Sequence, residues 1–371
     1  MKKTRDFILT FLIVGSLAVF GILFLVLPKD SDVSEEENRI LASAPGFSEI
    51  TGAGFREDFA AYLADRFPMR NTFVRAKAYS ELALGKRENN GVVFASDGYL
   101  VSRAKTDAAS CAVAAEKAAS AVGICENAAA PVYFFLTGRT ADIESARLPS
   151  VYDGSGDAAL HKAVFNAISA SADTTDLTET LKNAAERGEF VSYRTDHHWT
   201  VYGAEYAYKA IVEKLGYTPR TFTFTDVADG FYGTTYSASG LVSFGGDTIT
   251  FAGFDGMDGF ALTAYSRSED GYSGRDIGFY DTSALSAKDK YKAYLYGNFA
   301  EVTVRKTTEE RQKLLIIKDS YFNCVAPMLA ADFNLDVIDP RYMREEDVRA
   351  RLLDPGYAAI IMLFGVGTFT E

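Results

Sequence analysis

The chain has 371 residues, of which 48% are hydrophobic and 24% are charged, and its formal net charge at pH 7 is −12. That acidic balance, with no basic block beyond the N-terminus, argues against a nucleic-acid partner and against electrostatic attachment to anionic lipid. The three cysteines form no disulfide framework, because Cys111 and Cys125 lie about 21 Å apart along one predicted helix.

The N-terminus predicts a membrane anchor. Three basic residues lie within residues 1–5, and no charged residue occurs between residues 7 and 28. About twenty apolar residues, at roughly 1.5 Å each, span a hydrocarbon core of roughly 30 Å. We expect residues 6–28 to cross the membrane, residues 1–5 to stay in the cytoplasm, and the rest to be extracellular. A cleaved signal peptide is the alternative, but no small-x-small cleavage site follows the apolar run.

The next part of the chain reads as a connection to a globular domain. Residues 29–70 are predicted as an acidic stalk and a juxtamembrane helix, and residues 71–371 as the main domain. An amphipathic helical pattern covers residues 50–84 and is interrupted by a proline. Two short β-rich runs around an Asp-Gly turn predict a hairpin at 91–100, and a helix follows at 105–126.

The main domain has the pattern of an α/β fold. Residues 132–136 form an apolar run without alternation, which is typical of a strand covered on both faces. The C-terminal part predicts three strands that alternate with two helices: 313–318, 321–331, 335–338, 345–353 and 358–364. This succession predicts a parallel sheet with helices on both faces. Residues 217–290, rich in turn signals, are interpreted as β-hairpins and loops inserted into the domain.

Ser320 lies where a predicted strand ends and a helix begins. Ligand sites of doubly wound sheets collect at the carboxyl ends of strands, and a hydroxyl there lies close to the free N–H groups of a helix. Serine is also favoured at this position simply as a helix cap. Position alone does not separate a nucleophile from a cap.

Asp196 and His198 are the predicted partners of Ser320. The chain has three histidines, and two of them are adjacent, at His197 and His198. In an extended backbone, residues two apart leave on the same face, so Asp196 could orient the His198 ring while His197 points away. A carboxylate, an imidazole and a serine in series activate a nucleophile. Trp199, the only tryptophan, would wall the site or pack in the core.

A metal site and a structural pair are the two other interpretations of this cluster. Adjacent histidines that diverge are poor ligands for one metal ion, and no HExxH motif or cysteine pair supplies further ligands, so no metal is predicted. A hydrogen-bonded Asp-His pair with a purely structural role stays open.

The segment Thr195-Asp196-His197-His198-Trp199-Thr200 matches the motif that names the DHHW family. This motif comes before the segment Lys318-Asp319-Ser320-Tyr321 in the chain. In this order the chain resembles the alginate O-acetyltransferase branch of the SGNH hydrolases, in which an Asp-x-His motif precedes the serine. Further matching segments extend the resemblance over most of the predicted extracellular part: Glu36-Glu37-Asn38-Arg39, Asp65-Arg66-Phe67-Pro68-x-Arg70, Asn90-Gly91-Val92, Asp97-Gly98-Tyr99-Leu100, Gly203-Ala204, Gly297-Asn298 and Asp339-Pro340-Arg341-Tyr342. The resemblance implies an SGNH-like, flavodoxin-like fold for the catalytic domain.

The resemblance also implies roles for individual residues. Ser320 would attack an acyl carbonyl, His198 would take and return the proton, and Asp196 would orient the imidazole. Asn298 would donate a hydrogen bond to the oxyanion, or be only a turn residue. Substrate contacts would come from three further residues: Trp199, Tyr321 and Arg341.

The expected reaction is serine-dependent transfer of an acyl group, acetyl in the first instance, to a cell-surface polysaccharide or exopolysaccharide. No cofactor is needed for this route. By the same resemblance, a multi-spanning membrane O-acyltransferase would supply the acyl group outside the membrane. A carbohydrate O-acetylesterase and a catalytically silent glycan-binding or envelope-assembly module are the alternatives.

Overall fold

A computed structural model describes residues 2–29, 32–34, 39–46, 50–52, 54–241 and 245–370. The chain divides into two compact units, of which the first is Met1–Asn90 with Ser237–Ser243, and the second is Gly91–Tyr236 with Phe244–Glu371. Three residues of the predicted motif after the anchor, Glu36, Glu37 and Asn38, lie outside the described residues.

The first unit contains one long apolar helix and two short helices. Its elements are α1 (Lys2–Val26), β1 (Val33–Ser34), β2 (Arg39–Ile40), α2 (Phe55–Asp65), α3 (Arg70–Ala83) and β3 (Glu88–Asn89). Within α1, residues Thr4–Val26 are long and apolar enough to cross a membrane, which agrees with the predicted single-pass anchor. The break between α2 and α3 falls at Pro68, as predicted, because proline disfavours a helical conformation in the residue before it.

The second unit alternates strands and helices along most of its length. In chain order its elements are β4 (Val92–Phe94), β5 (Leu100–Ser102), α4 (Ala108–Gly123), β6 (Val132–Thr137), α5 (Thr140–Ile143), α6 (Ser155–Ser169), β7 (Asp173–Asp176), α7 (Thr178–Glu186), α8 (Val201–Lys214), β8 (Thr223–Phe231), α9 (Thr234–Ser239, which reaches into the first unit's segment), β9 (Asp247–Gly253), β10 (Phe260–Ser268), β11 (Gly271–Ile277), β12 (Glu301–Lys306), β13 (Lys313–Lys318), α10 (Ala326–Ala330), β14 (Asn334–Ile338), α11 (Glu345–Leu352) and β15 (Ala359–Gly365). Strands β4 and β5 pair antiparallel, which confirms the hairpin predicted around Asp97-Gly98.

An eight-stranded sheet organises the second unit, in the order β11-β10-β12-β14-β13-β15-β6-β7. The five strands from β14 to β7 are parallel, and β12, β10 and β11 extend the sheet antiparallel. All residues of β15 are buried. The sheet is therefore mainly parallel, as predicted.

Alternate residues of the central strands belong to two separate hydrophobic cores. In β13, Leu314 and Ile316 belong to a core with α7, α8 and α10, whereas Leu315 and Ile317 belong to a core with α4, α6 and α11. Side chains of a strand alternate between the two faces of the sheet, so a continuous apolar run is what a sheet covered on both sides requires. This confirms the predicted α/β fold with helices on both faces.

One predicted helix differs in the structure. The helix predicted at 321–331 is instead a 3₁₀ helix, Ser320–Cys324, followed by α10. Pro327 lies in the first turn of α10, and it has no N–H with which to continue a helix from the residues before it.

The region 217–290 contains the predicted hairpins. Strands β8 and β9 pair with each other, whereas β10 and β11 form the edge of the main sheet. Turn signals show that hairpins exist, but they do not show which strand each hairpin pairs with.

We predict that Gly203→Ala destabilises the second unit. A Cβ at this position of α8 would lie 2.3 Å from the Val191 carbonyl oxygen and 2.9 Å from the Trp199 Cβ. Overpacking of this kind costs about 1–3 kcal/mol of the free energy of unfolding. Urea unfolding of the full-length chain in detergent micelles, followed by the fluorescence of Trp199, measures the loss.

Gly123→Ala is the matched control. This glycine is the last residue of α4, and an added Cβ would meet nothing within 4 Å. The substitution should leave stability unchanged or raise it by about 0.5–1 kcal/mol, because alanine loses less conformational entropy on folding. Equal losses in both variants would contradict the predicted clash at Gly203.

Candidate active site

Ser320 follows β13 at the carboxyl edge of the sheet. The residue that caps the 3₁₀ helix beginning at Ser320 is Asp319, whose Oδ1 accepts a 2.9 Å hydrogen bond from the Tyr321 N–H. The other oxygen of Asp319 accepts hydrogen bonds from the Gly365 N–H (2.8 Å) and the Thr368 hydroxyl (2.6 Å), which ties this turn to the segment after β15. Asp319 is therefore the residue that caps this helix, and the Ser320 hydroxyl makes a different contact.

That contact is with His198. The His198 Nε2 lies 2.7 Å from the Ser320 Oγ, and the His198 Nδ1 lies 2.5 Å from the Asp196 Oδ1. The same Asp196 oxygen accepts a 3.1 Å hydrogen bond from the His198 backbone N–H. Both residues lie in a bent segment closed by an isolated bridge between Ser192 and Trp199. The structure thus places Asp196, His198 and Ser320 in one hydrogen-bonded series.

Residues from the 217–290 region complete the surroundings of the Asp196 carboxylate. Its Oδ2 accepts hydrogen bonds from the Thr234 N–H (2.8 Å) and the Thr234 hydroxyl (3.0 Å). A Cβ on Gly233 would lie 2.2 Å from the same oxygen, so the close approach requires glycine. The Asp247 Oδ2 accepts hydrogen bonds from the N–H (2.8 Å) and the hydroxyl (2.6 Å) of Thr195. None of these partners was predicted, because no local motif marks them.

The environment of Asp196 favours its ionised form. Burial by itself raises the pKa of this carboxyl, but the charges of His197 and His198, together with hydrogen bonds from His198 and Thr234, outweigh burial and lower the pKa below its ordinary value. A carboxylate that stays ionised in a buried site can hold an imidazole in one orientation and stabilise its protonated form.

Aromatic rings surround the His198 imidazole. The Tyr291 ring stacks on it with a centroid distance of 3.9 Å and an interplanar angle of 10°, and the Tyr291 hydroxyl donates a 3.1 Å hydrogen bond to the Ser320 carbonyl oxygen. The Tyr321 ring lies 5.1 Å away at 57°. Tyr321 was a predicted site residue, whereas Tyr291 was not, because nothing in its sequence neighbourhood distinguishes it from a core tyrosine.

The prediction that His197 points away from His198 is wrong. Their ring centroids lie 3.8 Å apart, and the His197 Nδ1 lies 3.6 Å from the Asp196 Oδ1. The prediction assumed an extended backbone, but residues 194–198 form consecutive bends, so side chains do not alternate there. Asp196, His197 and His198 each offer a ligand atom within 4.8 Å of the others, which is close enough to hold a metal ion. Two of those atoms, on Asp196 and His198, already contact each other directly.

A cleft of about 380 Å³ opens beside Ser320. Arg341 lines it, as predicted, and its guanidinium donates hydrogen bonds to both oxygens of Asp339, at 2.9 and 2.7 Å. Arg139, which was not predicted, also lines the cleft and donates a 2.6 Å hydrogen bond to Asp157. Both cations thus face the cleft while being held in place by carboxylates.

Of the four residues predicted to bind the oxyanion or the substrate, Asn298 and Trp199 do not line the cleft. The Asn298 Oδ1 accepts hydrogen bonds from the buried Lys318 ammonium (2.7 Å) and from the Asn323 amide (3.1 Å). This side chain is therefore part of a polar network beside β13. Trp199 is buried, and its indole N–H donates a 2.9 Å hydrogen bond to the Tyr321 carbonyl oxygen. Trp199 therefore packs behind the site, which was one of its two predicted places.

The fold and the site together define an α/β protein with a serine, a histidine and an aspartate in series at the carboxyl edge of a mainly parallel sheet. Residues 158–338, which include all three, match the family model described as DHHW protein, and the predicted resemblance to that family is confirmed. A search of curated proteins gave no match.

Several solved structures have a similar fold. A DHHW family protein from Eubacterium siraeum has a TM-score of 0.60 and 20% identity, over 76% of this chain and 93% of that chain. Two structures of PatB1 from Bacillus cereus, one with a sulfonyl adduct, have TM-scores of 0.57 and 0.59 and identities of 19% and 18%, over 76% of this chain and 97% of theirs. The O-acetyltransferase domain of Pseudomonas putida AlgJ also matches, with a TM-score of 0.45 and 15% identity over 76% of this chain and 92% of that chain.

We predict that the stabilising contribution of Asp196 disappears in acid. Its pKa is lower in the folded chain than the ordinary value of 3.8, so the folded state binds fewer protons there than the unfolded state does. The contribution is therefore present above pH of about 4 and is lost as the pH falls towards the folded-state pKa. The difference in free energy of unfolding between the wild type and Asp196→Asn should narrow below pH of about 4.

Urea unfolding of both proteins between neutral and acidic pH tests this. Other carboxyl groups are common to the two proteins, so their titration cancels in the difference. A difference that stays constant, or widens in acid, would show that Asp196 is not preferentially ionised in the folded chain.

Proposed function

We propose that this chain is a serine-dependent O-acyltransferase, acetyl being the expected group, that acts on an extracytoplasmic polysaccharide through an acyl-serine intermediate. The observation that carries the proposal is the series from Asp196 through His198 to Ser320, with contacts of 2.5 and 2.7 Å, beside an open cleft. A structural Asp-His pair would not need a serine hydroxyl at the second ring nitrogen.

The first half-reaction loads the serine. The His198 Nε2 takes the proton of the Ser320 hydroxyl as its Oγ attacks the carbonyl carbon of an acyl donor. The tetrahedral intermediate collapses when His198 returns that proton to the leaving group, and Ser320 then carries the acyl ester. Asp196 keeps the imidazole oriented and stabilises its protonated form in both steps.

The second half-reaction transfers the acyl group from Ser320 to the acceptor. A sugar hydroxyl enters the cleft and gives its proton to His198 as its oxygen attacks the acyl-serine carbonyl. Collapse of this intermediate returns the proton to the Ser320 Oγ and releases the acylated sugar. Arg139 and Arg341 are the cations that line the cleft, and we propose that they hold polar groups of the acyl donor or of the acceptor.

The oxyanion role predicted for Asn298 receives no support from its position, because its amide oxygen is bound to Lys318 and it does not line the cleft. We therefore leave Asn298 out of the proposed mechanism.

The compartment and the acyl donor are part of the proposal. Helix α1 is long and apolar enough to anchor the chain, with the basic N-terminus in the cytoplasm and the site outside. An acyl donor then has to be delivered across the membrane, and a multi-spanning membrane O-acyltransferase would supply it. With water as the acceptor, the same site would be a carbohydrate O-acetylesterase. A silent glycan-binding module is the third possibility.

We predict that phenylmethanesulfonyl fluoride labels Ser320 of the full-length chain in detergent micelles. A sulfonyl adduct is present in one structure of PatB1, whose fold is similar, so the reagent class is a suitable probe. Peptide mass spectrometry should find the adduct on Ser320 in the wild type and not in Ser320→Ala. In His198→Ala labelling should slow about 100-fold, because a general base commonly contributes that factor or more.

Ser102→Ala is the matched control, because Ser102 lines the same cleft without being the partner of His198. It should be labelled at Ser320 at the wild-type rate. Dialysis against EDTA should leave labelling unchanged, and its loss would favour a metal held by Asp196, His197 and His198. If the folded wild-type protein takes no label at Ser320, the result would favour a catalytically silent glycan-binding module over an acyltransferase.

We predict that the acyl group passes to a glycan in preference to water. The protein is incubated with 4-nitrophenyl acetate, and acetyl-serine is followed by mass spectrometry with and without neutral oligosaccharides. With a suitable acceptor, the adduct should decay faster and acetylated sugar should appear. Decay at one rate, with free acetate as the sole product for every acceptor, would assign the site to an esterase.

A further inference from the structure

A second cavity, of about 500 Å³, lies in the second unit between the antiparallel end of the sheet and α11. It plays no part in the mechanism above. Strands β10, β11 and β12 supply Tyr265, Tyr272 and Glu301, and α11 supplies Asp347 and Arg351. We call it the second pocket.

Strand register and helix periodicity bring these side chains together. Tyr265 of β10 is paired directly with Glu301 of β12, so the two side chains lie on one face of the sheet. Tyr272 is paired with Arg267, two residues from Tyr265, and shares that face. On α11, Asp347 and Arg351 are four residues apart and lie on one side of the helix.

Glu301 has an unused hydrogen-bonding atom in this pocket. Its side chain is only 8% exposed, and its Oε2 accepts a 2.7 Å hydrogen bond from Arg351. Its Oε1 is buried and has no hydrogen-bond partner among the described residues. Native proteins rarely leave a buried acceptor unpaired, because the group loses water and gains nothing in return. Burial raises the pKa of Glu301, and Arg351 opposes that change.

The charges that line the second pocket restrict its ligand. Glu301, Asp347 and Asp354 contribute carboxyl groups, and Arg351 is the one guanidinium among the lining residues. Such a wall disfavours an anionic ligand and offers acceptors to hydroxyl groups. Tyrosine rings add apolar faces with a polar tip, which suit the C–H face of a sugar ring.

We propose that the second pocket binds a neutral saccharide residue, with a sugar hydroxyl donating to Glu301. The inference rests on the proposed function only in taking this saccharide to be part of the acceptor glycan.

The place of the second pocket in the sheet fits such a role. Glu301 is paired with Ile338, the last residue of β14, and β14 is the neighbour of β13, which leads to Ser320. Glu301 and Ser320 therefore lie at the same edge of the sheet. Neighbouring strands are about 4.8 Å apart, so two strand spacings separate their strands by roughly 10 Å. One chain of sugars could occupy the second pocket while another of its residues reaches the cleft.

The test is binding of neutral hexasaccharides to the full-length chain in detergent micelles. Hexa-N-acetylchitohexaose, cellohexaose and maltohexaose are titrated by calorimetry, with the hexamer of galacturonic acid as the anionic comparison. Ala350→Trp fills the pocket from an exposed helix position that lines it. Arg349→Trp adds the same ring to the neighbouring exposed position, which does not line it.

At least one neutral hexasaccharide should bind, and Ala350→Trp should raise its Kd roughly tenfold or more, while Arg349→Trp stays within about twofold. Glu301→Gln, which keeps the shape and removes the charge, should raise the Kd about threefold to tenfold. No binding of any neutral probe, or binding that Ala350→Trp leaves unchanged, would overturn the proposal. Tighter binding of the galacturonic acid hexamer than of every neutral probe would overturn the ligand class.

The outcome is separable from that of the proposed function. Ser320→Ala should bind the hexasaccharide with the wild-type Kd, and Ala350→Trp should be labelled by phenylmethanesulfonyl fluoride at the wild-type rate. If the hexasaccharide binds, Ala350→Trp abolishes that binding, and Ser320 takes no label, then the saccharide site in the second pocket is supported and the proposed acyltransferase function is contradicted.

Discussion

The buried Asp196 carboxylate is the contact on which the arrangement of the site depends. A charge taken out of water must be compensated by hydrogen bonds and opposite charge, and here His198 and Thr234 provide them. These partners come from separate parts of the chain, so satisfying one carboxylate joins the bent segment before α8 to the start of α9. The orientation of the His198 ring towards Ser320 follows from that constraint.

The parallel strands supply the rest of the geometry. Because β13, β14, β15 and β6 run in the same direction, the segments that follow them emerge at one edge of the sheet. Ser320, Arg341 and Arg139 each follow one of these strands. Asp319 fixes the turn that carries Ser320 by accepting hydrogen bonds from the segment after β15. A rigid edge with short polar turns is suited to hold a nucleophile at one place in an open cleft.

The two cavities of this edge have opposite character. The cleft beside Ser320 is lined by two guanidinium groups, whereas the second pocket is lined mainly by carboxyl groups and tyrosine rings. A polymer with uniform charge would fit one and be repelled by the other. A largely neutral glycan, handled with a polar acyl donor, is compatible with both, and this links the proposed reaction to the proposed binding site.

Sequence patterns alone predicted the apolar α1 and the continuous apolar strands of the parallel sheet, because each depends on local composition, and the family resemblance paired the DHHW motif with a later serine. The sequence also singled out Asp196, His198 and Ser320. Only the tertiary structure decided that His197 lies against His198, that Asp319 is the helix cap, that Asn298 serves Lys318, and that Tyr291, Thr234 and Arg139 surround the site. The physical reason is that these contacts join residues far apart in the chain through side-chain packing, and neither periodicity nor local propensity encodes which distant side chains will meet.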